Sequence, residues 1–258
     1  MTILSGKVVV VSGAGPGLGR AIAMRSAHAG ADVVLVARDE ERLGKLAAEV
    51  RGLGRRALTV PADITDDEAC ARIVDVTVAE FGRVDALVNN AFTMPPMTDL
   101  TDVRIDKLRA GLDVNVFAAL RLTRLVAPQL APDGAVVMIN SAVLRHSRQL
   151  YGAYKMAKSA LLSVSQSLAS ELGPTGVRVN SVAPGYIWAD MLQAYFAYLA
   201  GERGVDPQQV YDETAATTDL RRLPEPDEIA DAVVFLASPM ARAITGQCLD
   251  VNAGEFHH

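Results

Sequence analysis

The stretch KVVVVSGAGPGLGR, from Lys7 to Arg20, decides how the rest of the chain is read. Its four consecutive valines, Val8 to Val11, are β-branched and apolar, which suits a strand covered on both faces. Glycines follow at 13, 17 and 19, a GxxxGxG spacing with Gly15 in addition, and a helical pattern begins near Leu18. A strand that turns through glycines into a helix offers free backbone N–H groups at the helix start. The absent side chains let a pyrophosphate approach that backbone. Gly13, Gly15, Pro16, Gly17, Leu18 and Gly19 are therefore candidate contacts for a dinucleotide. No Gly-Lys-Ser/Thr triplet follows, so the loop is not of the Walker A type.

The alternation of strand and helix continues. DVVLVA from Asp32, RALTVPAD from Arg56, DALVNNA from Asp85, GAVVMINS from Gly134 and VRVNSVAPG from Val177 read as strands. Helical patterns separate them; Leu43, Leu46, Ala47 and Val50 mark one such face, and Thr65 is the expected N-cap of another. A long helical pattern runs from about Thr101 to Leu130, and PDEIADAVVFLAS leads into a closing strand in GQCLDVNAG. This order predicts an α/β fold: a doubly wound parallel sheet of about seven strands, the Rossmann fold, with helices on both faces. Ligands then bind at the carboxyl ends of the strands. No linker interrupts residues 1–258, which read as a single domain carrying a substrate lid at about 186–222.

Composition excludes several classes. The net charge is −5 and the basic residues are dispersed, against a nucleic-acid partner. No run of about 18 apolar residues occurs, so no membrane span is expected. The N-terminus lacks a basic n-region and a cleavage site, so no signal peptide is expected. Cys70 and Cys248 lie far apart and read as buried thiols of a reducing, cytoplasmic compartment. The histidines at 28, 146, 257 and 258 form no ligand set, so no metal is expected.

The end of the second strand should meet the adenosine ribose. An acidic residue there bonds the ribose hydroxyls, whereas a basic one accepts a 2′-phosphate. Ala37 is followed by Arg38, which favours NADP(H). Asp39 keeps NAD(H) open if the register slips, and Pro16 supplies no second basic group.

Together, the Gly13/Gly17/Gly19 loop, Pro61–Asp63, Val88–Ala91, Asn115, Ser141, Tyr154 with Lys158, and Ala183–Gly185 resemble the short-chain dehydrogenase/reductase family along essentially the whole chain. The resemblance implies that Asp63 and Ile64 lie at the adenine, and that Asn90 and Ala91 line the coenzyme channel. It implies that Pro184, Gly185 and Ile187 flank the nicotinamide. Asn115 would disturb its helix and, by side chain or carbonyl, hold a water in a proton relay to Lys158. Two positions depart from the family pattern: Phe92 replaces a glycine after NNA, and Ala189 replaces a frequent threonine.

Two tyrosines each have a lysine four residues on, Tyr151 with Lys155 and Tyr154 with Lys158, and helical periodicity alone does not choose. The family's separation between serine and tyrosine selects Tyr154, thirteen residues after Ser141. A free phenol titrates near ~10, too high for a base at neutral pH. A nearby ammonium should lower that value, and lysine, unlike arginine, can also pass a proton. The expected catalytic set is Asn115, Ser141, Tyr154 and Lys158, interconverting a secondary alcohol and a ketone by hydride transfer.

Phe92, Tyr151, Trp188, Met191 and Tyr195, with Ser141 and Tyr154, are the expected substrate contacts, suited to a bulky apolar molecule of alicyclic or steroid-like shape. The lid aromatics could instead pack the lid or join a subunit interface. Arg145, His146 and Arg148 raise the alternative of a 3-oxoacyl-thioester substrate with a coenzyme A moiety. A silent coenzyme-binding regulator and a reducer of C=C bonds are further alternatives, both disfavoured by the complete catalytic set. Small residues along the helix of Tyr154, with the family's habit, imply a homotetramer or homodimer. The tail GEFHH either reaches a neighbouring subunit or frays.

Overall fold

The computed structural model describes residues 2–257. Strands and helices alternate from the start: β1 (Val8–Ser12), α1 (Leu18–His28), β2 (Asp32–Ala37), α2 (Glu40–Gly52), β3 (Ala57–Pro61), α3 (Asp67–Phe81) and β4 (Val84–Asn89). Then come α4 (Ile105–Leu112), α5 (Ala118–Val126), β5 (Leu130–Ile139), α6 (Gly152–Leu172) and β6 (Arg178–Pro184). The lid helices α7 (Asp190–Arg203) and α8 (Pro207–Ala215), then α9 (Pro226–Ala237) and β7 (Cys248–Val251), complete the order. The seven strands form one parallel sheet in the order β3-β2-β1-β4-β5-β6-β7. Chain direction across the sheet reverses between β1 and β4, and a crevice opens there at the carboxyl edge.

The valine run shows why the sheet needs two helical layers. Val9 and Val11 enter the core beneath α1, α2 and α9, beside Ile22, Leu43 and Ile229. Val8 and Val10 enter the opposite core, beside Ile73, Leu122 and Leu161 of α3, α5 and α6. Alternate side chains of one strand thus serve both faces, and all four are buried. Phe196, Ala200, Val210, Ala215 and Leu223 form a third, smaller core inside the lid. No helix among the described residues is long and apolar enough to cross a membrane.

Two local expectations are corrected. The cap of α3 is Asp66, whose Oδ1 accepts from Ala69 N at 2.7 Å; Thr65 is engaged by Asp63 instead. A carboxylate caps more strongly than a hydroxyl because the bond is charge-assisted. The long helix expected from Thr101 begins only at Ile105 and is two helices, α4 and α5, joined by a π-turn over Asp113–Phe117, which is the local disturbance expected at Asn115.

The glycine loop touches β4 without clearance. A Cβ on Gly13 would stand 2.5 Å from Ala91 N, and Gly13 has φ +82°. Gly44, in the exposed middle of α2, has open space around it. Gly13→Ala should therefore cost more than about 2 kcal/mol, through strain and collision. Gly44→Ala should stabilise by up to about 1 kcal/mol. Urea midpoints of the two variants check this, and a Gly13→Ala midpoint at or above that of the parent would refute the tight approach.

Candidate active site

The dinucleotide loop is held from two sides. Gly13 N and Ala14 N donate to Val36 O at 2.8 and 3.0 Å, and Asn90 Nδ2 donates to Gly13 O at 2.8 Å. Ala91 supplies the backbone against which Gly13 packs. Beyond that contact the loop opens. A Cβ on Gly15 would meet nothing within 4 Å, and one on Gly17 only Ala189 Cβ at 3.8 Å. Gly17 is the N-cap of α1 and provides no side-chain acceptor, while Leu18 packs against the core and Pro16 is exposed. This open cradle at a helix N-terminus fits a pyrophosphate, with the α1 N–H groups as donors.

At the far end of the crevice, Ala37 pairs with Pro61 and closes β2, so Arg38 is the first residue beyond the strand, and it is exposed. Asp39 is occupied as the cap of α2: Oδ1 accepts from Arg42 N at 3.0 Å and Oδ2 pairs with Arg42 Nε at 3.1 Å. Asp63 Oδ1 accepts from Thr65 N at 2.9 Å and from Thr65 Oγ1 at 2.8 Å. Those bonds, and then the charge of Arg38, hold its carboxyl below the usual range. The Ile64 side chain is buried in the core beneath this edge.

The catalytic candidates meet at the carboxyl end of β5. Ser141 Oγ accepts from Val143 N at 3.2 Å, and its hydroxyl lies near enough to that of Tyr154 to pull the phenol's pKa down. Tyr154 lies in the first turn of α6 and Lys158 one turn on. Lys158 is 4% exposed, and its Nζ donates to Ile139 O at 2.7 Å. The Phe92 ring covers both, 5.5 Å from the Tyr154 ring and 5.1 Å from Lys158 Nζ. Asn115 sits within the π-turn. Its Oδ1 accepts from Thr93 N at 3.0 Å and its Nδ2 donates to Thr93 O at 2.9 Å, so the side chain clamps the loop after Phe92.

The expected lowering of the Tyr154 pKa by Lys158 does not appear. Burial pushes the phenol up, and only the Ser141 hydroxyl pulls it down. Burial also drives Lys158 down to about 7. Both groups leave water together, and the amine spends a donor on a carbonyl.

The other tyrosine has different company. Tyr151 is pushed up to about 12, first by burial and then by the neighbouring phenols of Tyr186 and Tyr195. Lys155 Nζ donates to His146 O at 2.7 Å and to Ser147 Oγ at 2.8 Å. Pro184 pairs with Val251, Gly185 N donates to Val251 O at 3.2 Å, and Ile187 packs on the main core. Ala189 caps α7 without a side-chain bond, as expected of a position that lacks a hydroxyl. Trp188 is drawn into the lid's own core, its ring 4.6 Å from Tyr211 and 5.7 Å from Phe196. Met191 is 72% exposed and Tyr195 half-exposed.

Arg145 is committed to Asp250 at 3.0 Å. Arg148 reaches the Tyr186 hydroxyl at 3.4 Å. The tail is docked: Phe256 stacks on His146 at 5.1 Å, Asn252 Nδ2 donates to Phe256 O at 3.2 Å, and His257 Nε2 meets Asp219 at 2.7 Å. His258 lies outside the described residues. Tyr186 and Glu255 were not anticipated as site residues. Only the position of Tyr186, directly after Pro184–Gly185, could have pointed to it.

A Rossmann cradle beside a neighbouring Ser–Tyr pair and a buried lysine defines an NAD(P)-dependent oxidoreductase acting on alcohols or ketones. A family profile described as enoyl-(acyl carrier protein) reductase matches residues 13–255. The 7alpha-hydroxysteroid dehydrogenase of Escherichia coli (strain K12) is 32% identical, over 97% of this chain and 94% of its own. L-Sorbose reductase from Gluconobacter frateurii, solved with NADPH and L-sorbose, superposes with a TM-score of 0.93 at 30% identity, over 100% of each chain. A 7 alpha-hydroxysteroid dehydrogenase complexed with NADH and 7-oxo glycochenodeoxycholic acid superposes with a TM-score of 0.87 at 31% identity, over 97% of this chain and 94% of that one. The chain belongs to the short-chain dehydrogenase/reductase family.

The buried amine has a consequence for stability. Between pH about 7 and about 9 the unfolded lysine is protonated and the folded Lys158 is neutral, so the unfolded chain binds more protons. Stability of the coenzyme-free protein should therefore rise with pH across that window, by at most about 1.4 kcal/mol per unit. Above it, Cys70 and Cys248, each pushed up to about 11 by burial, act in the opposite sense. Denaturation midpoints of the parent and of Lys158→Met measure the effect; the same slope in both would rule it out.

Proposed function

We propose that the protein interconverts a secondary alcohol and a ketone with NADP(H), using Tyr154 to give and take the proton. The observation that carries this reading is the hydroxyl pair Ser141–Tyr154 at the mouth of the crevice, one helical turn from a buried amine. The coenzyme, when bound, supplies or accepts the hydride. Ser141 holds the substrate oxygen against Tyr154, which fixes the reacting carbonyl in place. Lys158 lies close enough in α6 to favour the phenolate once it is charged, and any anion brought to the glycine loop favours that charge. The Asn115 side chain is spent on Thr93, so its carbonyl is the group left to hold a relay water. Burial of Asn115 and Lys158 keeps bulk water from the inner end of the proton's path.

NADP(H) is the preferred coenzyme in this reading, because Arg38 is exposed at the ribose end while Asp39 is tied to Arg42. The substrate presents a bulky alicyclic face to Phe92. The pairing of Arg145 with Asp250 withdraws support from a coenzyme A moiety. A homodimer or homotetramer is supported by exposed Phe117 and Leu125 beside and on α5; a monomer by light scattering would remove that part of the proposal.

Tyr154→Phe should lower kcat by about 10²- to 10⁴-fold while NADPH still binds, as read by fluorescence. Arg38→Leu should weaken NADPH binding by about 10- to 100-fold and NADH binding far less, the worth of a charge-assisted phosphate bond. Equal losses for the two coenzymes would remove the phosphate contact, and full activity in Tyr154→Phe would remove the mechanism.

A further inference from the structure

Glu255 is an acidic group beside the β6 turn to which the chemistry above gives no task. It lies in the segment after β7, which crosses the carboxyl edge of the sheet and is pinned there by Phe256 on His146. The turn after β6 makes room for it: a Cβ on Gly185 would stand 2.8 Å from Glu255 Oε2. The carboxylate therefore packs on backbone that the family resemblance places beside the nicotinamide. Its neighbours are polar. Arg148 acts on it through charge and donates to the Tyr186 hydroxyl, and Tyr151 lies close by.

Among the described residues, no side-chain or backbone donor is hydrogen-bonded to the Glu255 carboxylate. A half-buried acceptor without a donor costs free energy, and burial accordingly pushes its pKa up. Sites that leave a polar group unpaired until substrate arrives discriminate strongly against analogues that lack the matching group.

We propose that Glu255 determines specificity by accepting a hydrogen bond from a second hydroxyl of the substrate, on a carbon other than the reacting one. The pocket then takes a hydroxyketone or the matching diol, with its apolar face on Phe92 and its remote hydroxyl on Glu255. An ionised carboxylate only accepts, so it selects a hydroxyl over an ether or a second carbonyl. A substrate bearing its own carboxylate next to Glu255 is disfavoured by repulsion. The inference rests on the alcohol–ketone reading above and adds to it the class of substrate.

The test is kcat/KM with NADPH for cyclohexanone and for its three hydroxylated regioisomers, in the parent, Glu255→Leu and Glu255→Gln. The expected result is a preference of the parent for at least one hydroxyketone. That preference should fall by about 10- to 100-fold in Glu255→Leu. Glu255→Gln, which keeps an acceptor oxygen and the side-chain shape, should retain part of it. The ratio within each variant separates recognition from mere loss of folded protein. A parent without preference, or a ratio unmoved by both substitutions, overturns the assignment of Glu255. No turnover of any probe, with NADPH bound, overturns the oxidoreductase reading itself and this inference with it.

Discussion

The loop after β1 and the end of β4 meet backbone to backbone, and the whole crevice depends on that meeting. Gly13 lies so close to Ala91 that no side chain fits between them, and Asn90 locks the approach by donating to the Gly13 carbonyl. The contact falls where the sheet order reverses, so helices diverge to opposite faces and leave the edge uncovered. The loop then has one way to run: outward over an open cradle and into α1. Strong burial of the valine strand beneath it makes the platform stiff.

A second constraint acts a few residues away. Lys158 is buried almost completely, under the Phe92 ring and against the carbonyl of Ile139. Such an amine is poised between its two protonation states near neutral pH. The protein thus stores an unfavourable burial at the place where protons must move, and local stability is given up for chemical readiness. The Asn115 clamp on Thr93 carries the Phe92 segment, so the π-turn and the amine's cover belong to one mechanical unit.

Much of this was legible in the chain because the relevant signals are one-dimensional. Valine runs, glycine spacing and the residue after Ala37 are fixed by local periodicity and sterics, and they landed on strand, loop and strand end. The cap at Asp66 was missed because Thr65, itself a capping residue type, stands directly before it, and its bond to Asp63 is invisible in the pattern. The disturbance at Asn115 was expected from the family resemblance and falls where α4 and α5 meet, whereas its partner Thr93, distant in sequence, was not foreseen. For Trp188 the sequence left pocket lining, lid packing and a subunit interface open, because the ring's neighbour Tyr211 lies in another helix and is not written on the same stretch. The tail was illegible for the same reason: nothing near Phe256 in sequence announces His146. The Tyr154 shift went the other way because proximity to a positive charge is visible in spacing, whereas joint loss of solvent is not.

The fit of Gly185 under Glu255 has a bearing on how this scaffold can change. The carboxylate fills part of the volume that a larger residue at 185 would claim, and Asn252 fills the rest, its Cβ and Cα standing 3.0 and 3.1 Å from where a methyl group would sit. Shortening residue 255 removes only the flexible part of that obstruction, so the turn keeps its glycine whatever stands at 255. Laboratory evolution aimed at new ligands would therefore find its productive steps at 255 and not in the turn beneath it.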